Sequence, residues 1–206
     1  MEDNYGHIEF SSNASMVREE PMDYVNQFSG TIFGFPPGAV EEEEVGTING
    51  FVIDVKRVIS DGRTLSDVTD ASMETDEYLS YLWNPETEEF KETITEESVD
   101  TVVVIEKILI SPTYSGNNFA LSAIQTTVSY WTSSSEWLVL LKASPLQHCL
   151  KTPNDIIEKF DLNRFNKEEK ESTDKLITHY GKIGFECIDD TNFMYVNGAL
   201  KSKFNT

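Results

Sequence analysis

Asp100-Thr101-Val102-Val103-Val104-Ile105-Glu106-Lys107-Ile108-Leu109-Ile110-Ser111-Pro112 is the stretch that decides the fold. Its aliphatic, mostly β-branched residues run on without alternating with polar ones. A central strand covered on both faces reads this way. Pro112 ends it, because proline has no N–H to give to a ladder. Thr113-Tyr114-Ser115-Gly116-Asn117-Asn118 is a short polar turn. From Phe119 to Trp131, Ala120, Ala123, Ile124, Thr127, Val128 and Trp131 then recur at helical spacing. The first N–H groups of such a helix have no partner of their own. A strand that ends beside them creates a site for a phosphate or diphosphate.

The run Ile105-Glu106-Lys107-Ile108-Leu109-Ile110-Ser111-Pro112-Thr113-Tyr114-Ser115-Gly116-Asn117-Asn118-Phe119-Ala120 resembles the signature strand and turn of the GNAT family of N-acetyltransferases, often similar to I-E-R-L-Y-V-x-P-x-Y-R-G-x-G-x-G/A. Tyr180-Gly181-Lys182-Ile183-Gly184-Phe185 resembles a later motif of the same family, similar to Y-E-K-L-G-F. Between them Trp137–Ala143 is a second continuous apolar strand, where the family has its next one. The resemblance covers roughly Thr101–Val196. It implies an α/β (α+β) fold: a mixed, mostly antiparallel twisted sheet flanked by helices, with central strands that splay apart. It also implies acetyl-CoA as co-substrate and direct transfer of its acetyl group to a basic amine, in a small molecule or a peptide. Four positions depart from the family pattern. Ser115 stands for the usual Arg or Gln, Asn118 for Gly, Thr173 for a frequent Asn and Leu176 for a frequent Ala. Asparagine tolerates positive φ better than other non-glycine residues, so Asn118 can still form the turn.

Acyl transfer from a thioester needs a held diphosphate, a polarised carbonyl, a deprotonated amine and a protonated thiolate. The resemblance assigns the diphosphate to backbone amides of Ser115, Gly116, Asn117, Asn118, Phe119 and Ala120, and the thioester oxygen to a main-chain N–H of Leu109 or Ile110. Glu106 is the candidate general base, since a carboxylate within a run of Val and Ile is costly to bury and tends to mark a site. The alternative is a Glu106 side chain that reaches solvent at the end of the sheet beside a lysine. Tyr180 is the candidate general acid; the alternative is an aromatic that packs on the sheet with its hydroxyl bonded elsewhere. His179 reads as a surface imidazole. His7 and His148 have no partner at metal or triad spacing, and Cys149 and Cys187 set neither a disulfide framework nor a metal site.

Charge is distributed unevenly. Residues 1–100 hold 24 acidic and 5 basic side chains, against 12 and 11 in residues 101–206. A net charge of −20 disfavours binding to nucleic-acid phosphates. It suits a cationic substrate or a basic protein partner, or else simply a solvated surface. A second class of function is therefore an inactive GNAT-like acidic module or inhibitor that binds a basic protein. No apolar run approaches membrane-spanning length and the N-terminus has no leader pattern, so a soluble cytoplasmic protein with no membrane partner is expected.

A single domain over 1–206 is expected at this length. Residues 1–29 read as an irregular segment with a short strand at His7–Phe10, and residues 30–100 as the acidic half. Within that half, Gly30–Phe35 and Thr47–Ile59 read as strands, with Pro36-Pro37-Gly38 a stop between them. Thr64–Ala71 and Met73–Trp83 read as helical, and Trp83–Phe90 as an exposed connection. Residues 101–206 form the expected acyl-CoA-binding core, broken after Trp131 by Ser133-Ser134-Ser135. An insertion at 145–171 contains a helix at Asn154–Phe160 and reads as a lid or as surface elaboration. Thr173–Ile183 is the last helix, Gly184 its stop, and Phe185–Ile188 with Asn192–Val196 a closing hairpin.

Overall fold

The computed structural model describes residues 6–13, 19–35, 40–95, 97–132, 136–148, 153–165 and 168–198. The Pro36-Pro37-Gly38 stop, the Ser133-Ser134-Ser135 break and Cys149 lie outside them. Strand β1 (Ile8–Asn13) pairs antiparallel with β2 (Val25–Gly34), and β2 with β3 (Glu43–Asp54). β3 runs antiparallel to β6 (Thr101–Ile110), which is parallel to β7 (Trp137–Lys142). The sheet closes with β9 (Phe193–Asn197) and β8 (Glu186–Cys187), in the order β1-β2-β3-β6-β7-β9-β8. A separate two-stranded hairpin joins β4 (Trp83–Asn84) to β5 (Glu89–Phe90). This is the mixed, mostly antiparallel α/β arrangement that the resemblance implied, with one parallel pair at its centre.

β6 is buried on both sides, as its composition demands. Val103 and Ile105 face a core completed by helices α4 (Phe119–Trp131) and α6 (Glu169–Gly181). Val102 and Val104 face a second core, formed with α1 (Val55–Ser60), α2 (Leu65–Thr69) and α3 (Met73–Leu79). β7 divides in the same way, with Val139 and Leu141 on the first side and Leu138 and Leu140 on the second.

Three expectations for the first hundred residues are corrected. The strand read over Thr47–Ile59 stops at Asp54, because the Asp54 carboxylate accepts the Arg57 N–H at 2.9 Å and turns the chain into α1. Such a cap stabilises a helix by about 1 kcal/mol and here outweighs the β-branched character of Val55, Val58 and Ile59. β2 begins at Val25, inside the segment read as irregular. Phe28, Gly30 and Ile32 are its buried row on the α4–α6 side, carried between polar neighbours, while Val25 faces the other core. Trp83 is not on an exposed connection but buried, stacked edge to face with Phe90 across the small hairpin.

After β7 the inserted segment contains α5 (Asn154–Lys159), close to the helix expected there. Phe160 and Leu162 pack on Leu109 of β6, together with Leu146, Ile156 and Ile157. Among the described residues no helix is long and apolar enough to cross a membrane.

Candidate active site

β6 and β7 are paired from Thr101–Trp137 to Ile105–Leu141, and no further. β7 ends one residue later, while β6 continues along β3 to Ile110. Two central strands thus run together and then part. At the point of parting β6 is bulged: Ile105 pairs with Gly50 and Lys107 with Asn49, which leaves Glu106 as the extra residue. Beyond the bulge one edge of β6 has lost its neighbour. The Ser111 N–H donates to Val45 O at 2.8 Å on the β3 side. Successive amides along a strand point to alternate edges. The N–H of Ile110 therefore faces the open side, as does that of Ile108, whereas Leu109 directs its own toward β3.

The turn after β6 is fixed by local bonds. Pro112–Tyr114 forms a single 3-10 turn, and the Asn117 side-chain amide donates to Tyr114 O at 3.2 Å. The Ser115 hydroxyl donates to Pro112 O at 3.0 Å, and the Tyr114 hydroxyl donates to Glu43 at the start of β3. Gly116 (φ 89°) and Asn118 (φ 58°) both adopt the left-handed conformation the turn requires. Phe119 then seats the start of α4 so closely on β2 that a Cβ at Gly34 would lie 2.3 Å from its ring. The Asn118 side chain makes no capping bond, so among the described residues the first-turn amides of α4 have no side-chain partner and are open to the space in front of them.

That space is a groove of about 560 Å³ on the α4–α6 side of the sheet. Of the ten residues singled out in the sequence, Leu109, Ile110, Ser115, Gly116, Asn118, Phe119, Ala120 and Tyr180 line it. Asn117 does not; it ties the turn together. Glu106 does not either. By strand alternation it follows Val102 and Val104 onto the opposite face, where it feels the carboxylates of Glu74 and Glu77 on α3.

Glu106 as a residue is exposed, yet its carboxyl has lost part of its hydration. That loss raises its pKa above the ordinary carboxylate value. Glu74 and Glu77 push the same way, while Lys107 opposes. Tyr180 is buried, and burial alone lifts its pKa to about 12, with no charge or side-chain hydrogen bond contributing. The phenol is therefore a proton carrier throughout the neutral range.

Reading residues one at a time missed part of the site. Ser172, Lys175, Leu176, His179 and Tyr180 all line the groove. Their spacing of i, i+3, i+4, i+7 and i+8 is one face of α6 and was available in the sequence. His179 is thus half-buried at the groove, not a surface imidazole, and burial together with Lys182 lowers its pKa. Leu146 and Leu162 of the inserted segment form the remaining wall, for which no local pattern could have been read.

Compared with protein-family models, with curated proteins and with solved structures, the chain matches none.

Proposed function

We propose that the chain is an acyl-CoA-dependent N-acyltransferase of the GNAT type, which moves an acetyl group from acetyl-CoA to a basic amine. The observation that carries this reading is the parting of β6 and β7 just after Ile105 and Leu141, with one groove running from the gap to the open amides of α4. The groove suits the donor. Apolar side chains from β6, α6 and the inserted segment would enclose the pantetheine arm, and amides at its far end would hold the diphosphate. Thioester chemistry comes with the donor; the protein supplies position and protons.

The two faces of the sheet divide the labour. Ile110 offers its N–H to the thioester oxygen at the open edge of β6, where it stabilises the charge that develops as the C–N bond forms. Glu106, at the bulge on the α3 side, takes the proton lost by the incoming amine, directly or through a water molecule. Its raised pKa makes it a better base than an ordinary carboxylate. Tyr180, on the donor side, gives its proton to sulfur as the C–S bond breaks. Glu74 and Glu77 make the amine entrance negative, although Lys142 holds Glu77 at 2.6 Å. A cationic acceptor, small molecule or peptide, fits that entrance. A cytoplasmic setting with a pool of acyl-CoA goes with this reading.

Calorimetric titration with acetyl-CoA, followed by assay of thiol release with polyamines and with peptide amino termini, tests it. Binding that free CoA displaces, and thiol release that requires an amine, are expected. Failure to bind at millimolar excess sinks the enzyme reading.

One observation favours a second function. A hollow of about 660 Å³ on the α1 side is bordered by Glu88, Glu89, Glu92, Glu97 and Asp100. An acidic module that docks a basic protein would use such a surface. Salt-sensitive binding to a basic protein, without any affinity for CoA, is the result that selects it.

A further inference from the structure

Resting on the acyl-CoA reading, we propose that Lys175 supplies the cation the Ser115 turn lacks, by leaving Glu171 to bind the diphosphate of the donor across the groove. Phosphate sites built from amides alone are strengthened by a nearby positive side chain, and the turn after β6 contains none. Lys175 of α6, however, lines the same groove as Ser115 and Gly116.

The electrostatic pattern is selective. The chain carries 36 acidic and 16 basic residues, yet among the described residues lining the groove there is no carboxylate and Lys175 is the lone lysine or arginine. A random sample of this surface would be acidic. Glu171 and Glu43 stand just behind the lining, bonded to Lys175 and Tyr114, and the lining itself offers an anionic ligand a lysine and no carboxylate.

Position on α6 agrees. Lys175 and Tyr180 look into the same groove from one helix, five residues or about 7.5 Å of rise apart. Ammonium and phenol therefore meet different parts of one extended ligand. Lys175 Nζ now lies 2.7 Å from Glu171 Oε1, an i,i+4 pair with the two side chains 57% and 53% exposed. Exposed pairs of this kind are weak, so a diphosphate already held by backbone amides can displace the carboxylate.

The test is calorimetric titration of the full chain, as wild type, Lys175→Ala and Lys175→Arg, with CoA, dephospho-CoA and pantetheine. Lys175→Ala is expected to weaken CoA and dephospho-CoA about tenfold, as for loss of one charge-assisted bond, and to leave pantetheine unchanged. Lys175→Arg should restore most of the loss. Equal CoA affinity in wild type and Lys175→Ala overturns the proposal and leaves the coenzyme reading intact. So does an equal loss for pantetheine. An effect that disappears with dephospho-CoA overturns the assignment to the diphosphate, since the lysine would then read the 3′-phosphate. A wild type that binds none of the three overturns both readings. The exposed position of Lys175 means that folding of the variants can be verified by an unchanged thermal midpoint.

Discussion

Gly50 faces Val104 so closely that a Cβ on the glycine would lie 1.9 Å from the Val104 carbonyl oxygen. Gly50 is also the partner of Ile105, the last residue before the Glu106 bulge. The bulge therefore depends on the absence of a side chain in the neighbouring strand. Gly50→Ala must displace backbone, not a flexible side chain, and should cost about 2 kcal/mol or more. A lower denaturant midpoint at unchanged m-value is the expected reading. An unaltered midpoint would mean that β3 can yield there, and that something other than Gly50 holds the bulge.

Composition made β6, β7 and α4 legible, because strands buried on both faces have few residue types open to them. It could not reveal where β6 and β7 part. That is a matter of pairing, fixed by the end of β7 at Lys142 and by a bulge whose only local sign is one glutamate among Val and Ile. The family resemblance points to an amide of Leu109 or Ile110 without separating the two; that Ile110 is the one at the open edge of β6 follows only from the Ser111–Val45 bond. The first hundred residues were the hardest. Val55–Ile59 has strand-forming composition but becomes helix through the Asp54 cap, and the inward row of β2 is hidden among Asn26, Gln27 and Ser29. The inserted wall depends on Leu109, Phe160 and Leu162, brought together from more than fifty residues apart.

Asn118 occupies a left-handed position at φ 58° directly before α4. Glycine has no Cβ to clash there, so Asn118→Gly should leave the protein as stable as before or about 0.5–1 kcal/mol more stable, and keep coenzyme affinity. Asn118→Val forces a β-branched residue into that region and should cost about 1–2 kcal/mol. Thermal denaturation of the two variants provides the comparison. A valine variant as stable as wild type would show that the turn had found another conformation, and its CoA affinity should then fall.

Glu106→Gln separates activity from stability. As general base its loss should lower kcat/KM by about 100- to 10,000-fold and remove the acid limb of the pH–rate profile. Stability should move the other way. Because the folded-state pKa is raised, ionising Glu106 costs the folded protein stability that is present at low pH and lost as pH rises through the folded pKa. Glutamine carries no such penalty, so the variant should gain on wild type near neutral pH and lose that advantage in acid. Urea midpoints across this range would test the sign. A glutamine variant with unchanged kcat/KM would remove Glu106 from the mechanism.

Tyr180→Phe probes the acid and its linkage to folding together. The hydroxyl is buried at the groove with its pKa raised from 10 to about 12. Throughout the neutral range it is protonated, so it can protonate the departing thiolate and should impose no alkaline limit on the rate below its own pKa. Removing it should lower kcat by roughly 100-fold, the lower edge of what a positioned acid contributes, with little change in KM. Folding should respond only at high pH. Between pH 10 and 12 the unfolded chain has lost the phenolic proton while the folded one keeps it, so this group makes stability fall as pH rises through that window. Phenylalanine cannot titrate, and the variant should lose less stability there than wild type. If the two lose stability in parallel from pH 10 to 12, the phenol is hydrated in solution and the raised value is wrong. If kcat is unchanged, the thiolate receives its proton from water and Tyr180 is a packing residue.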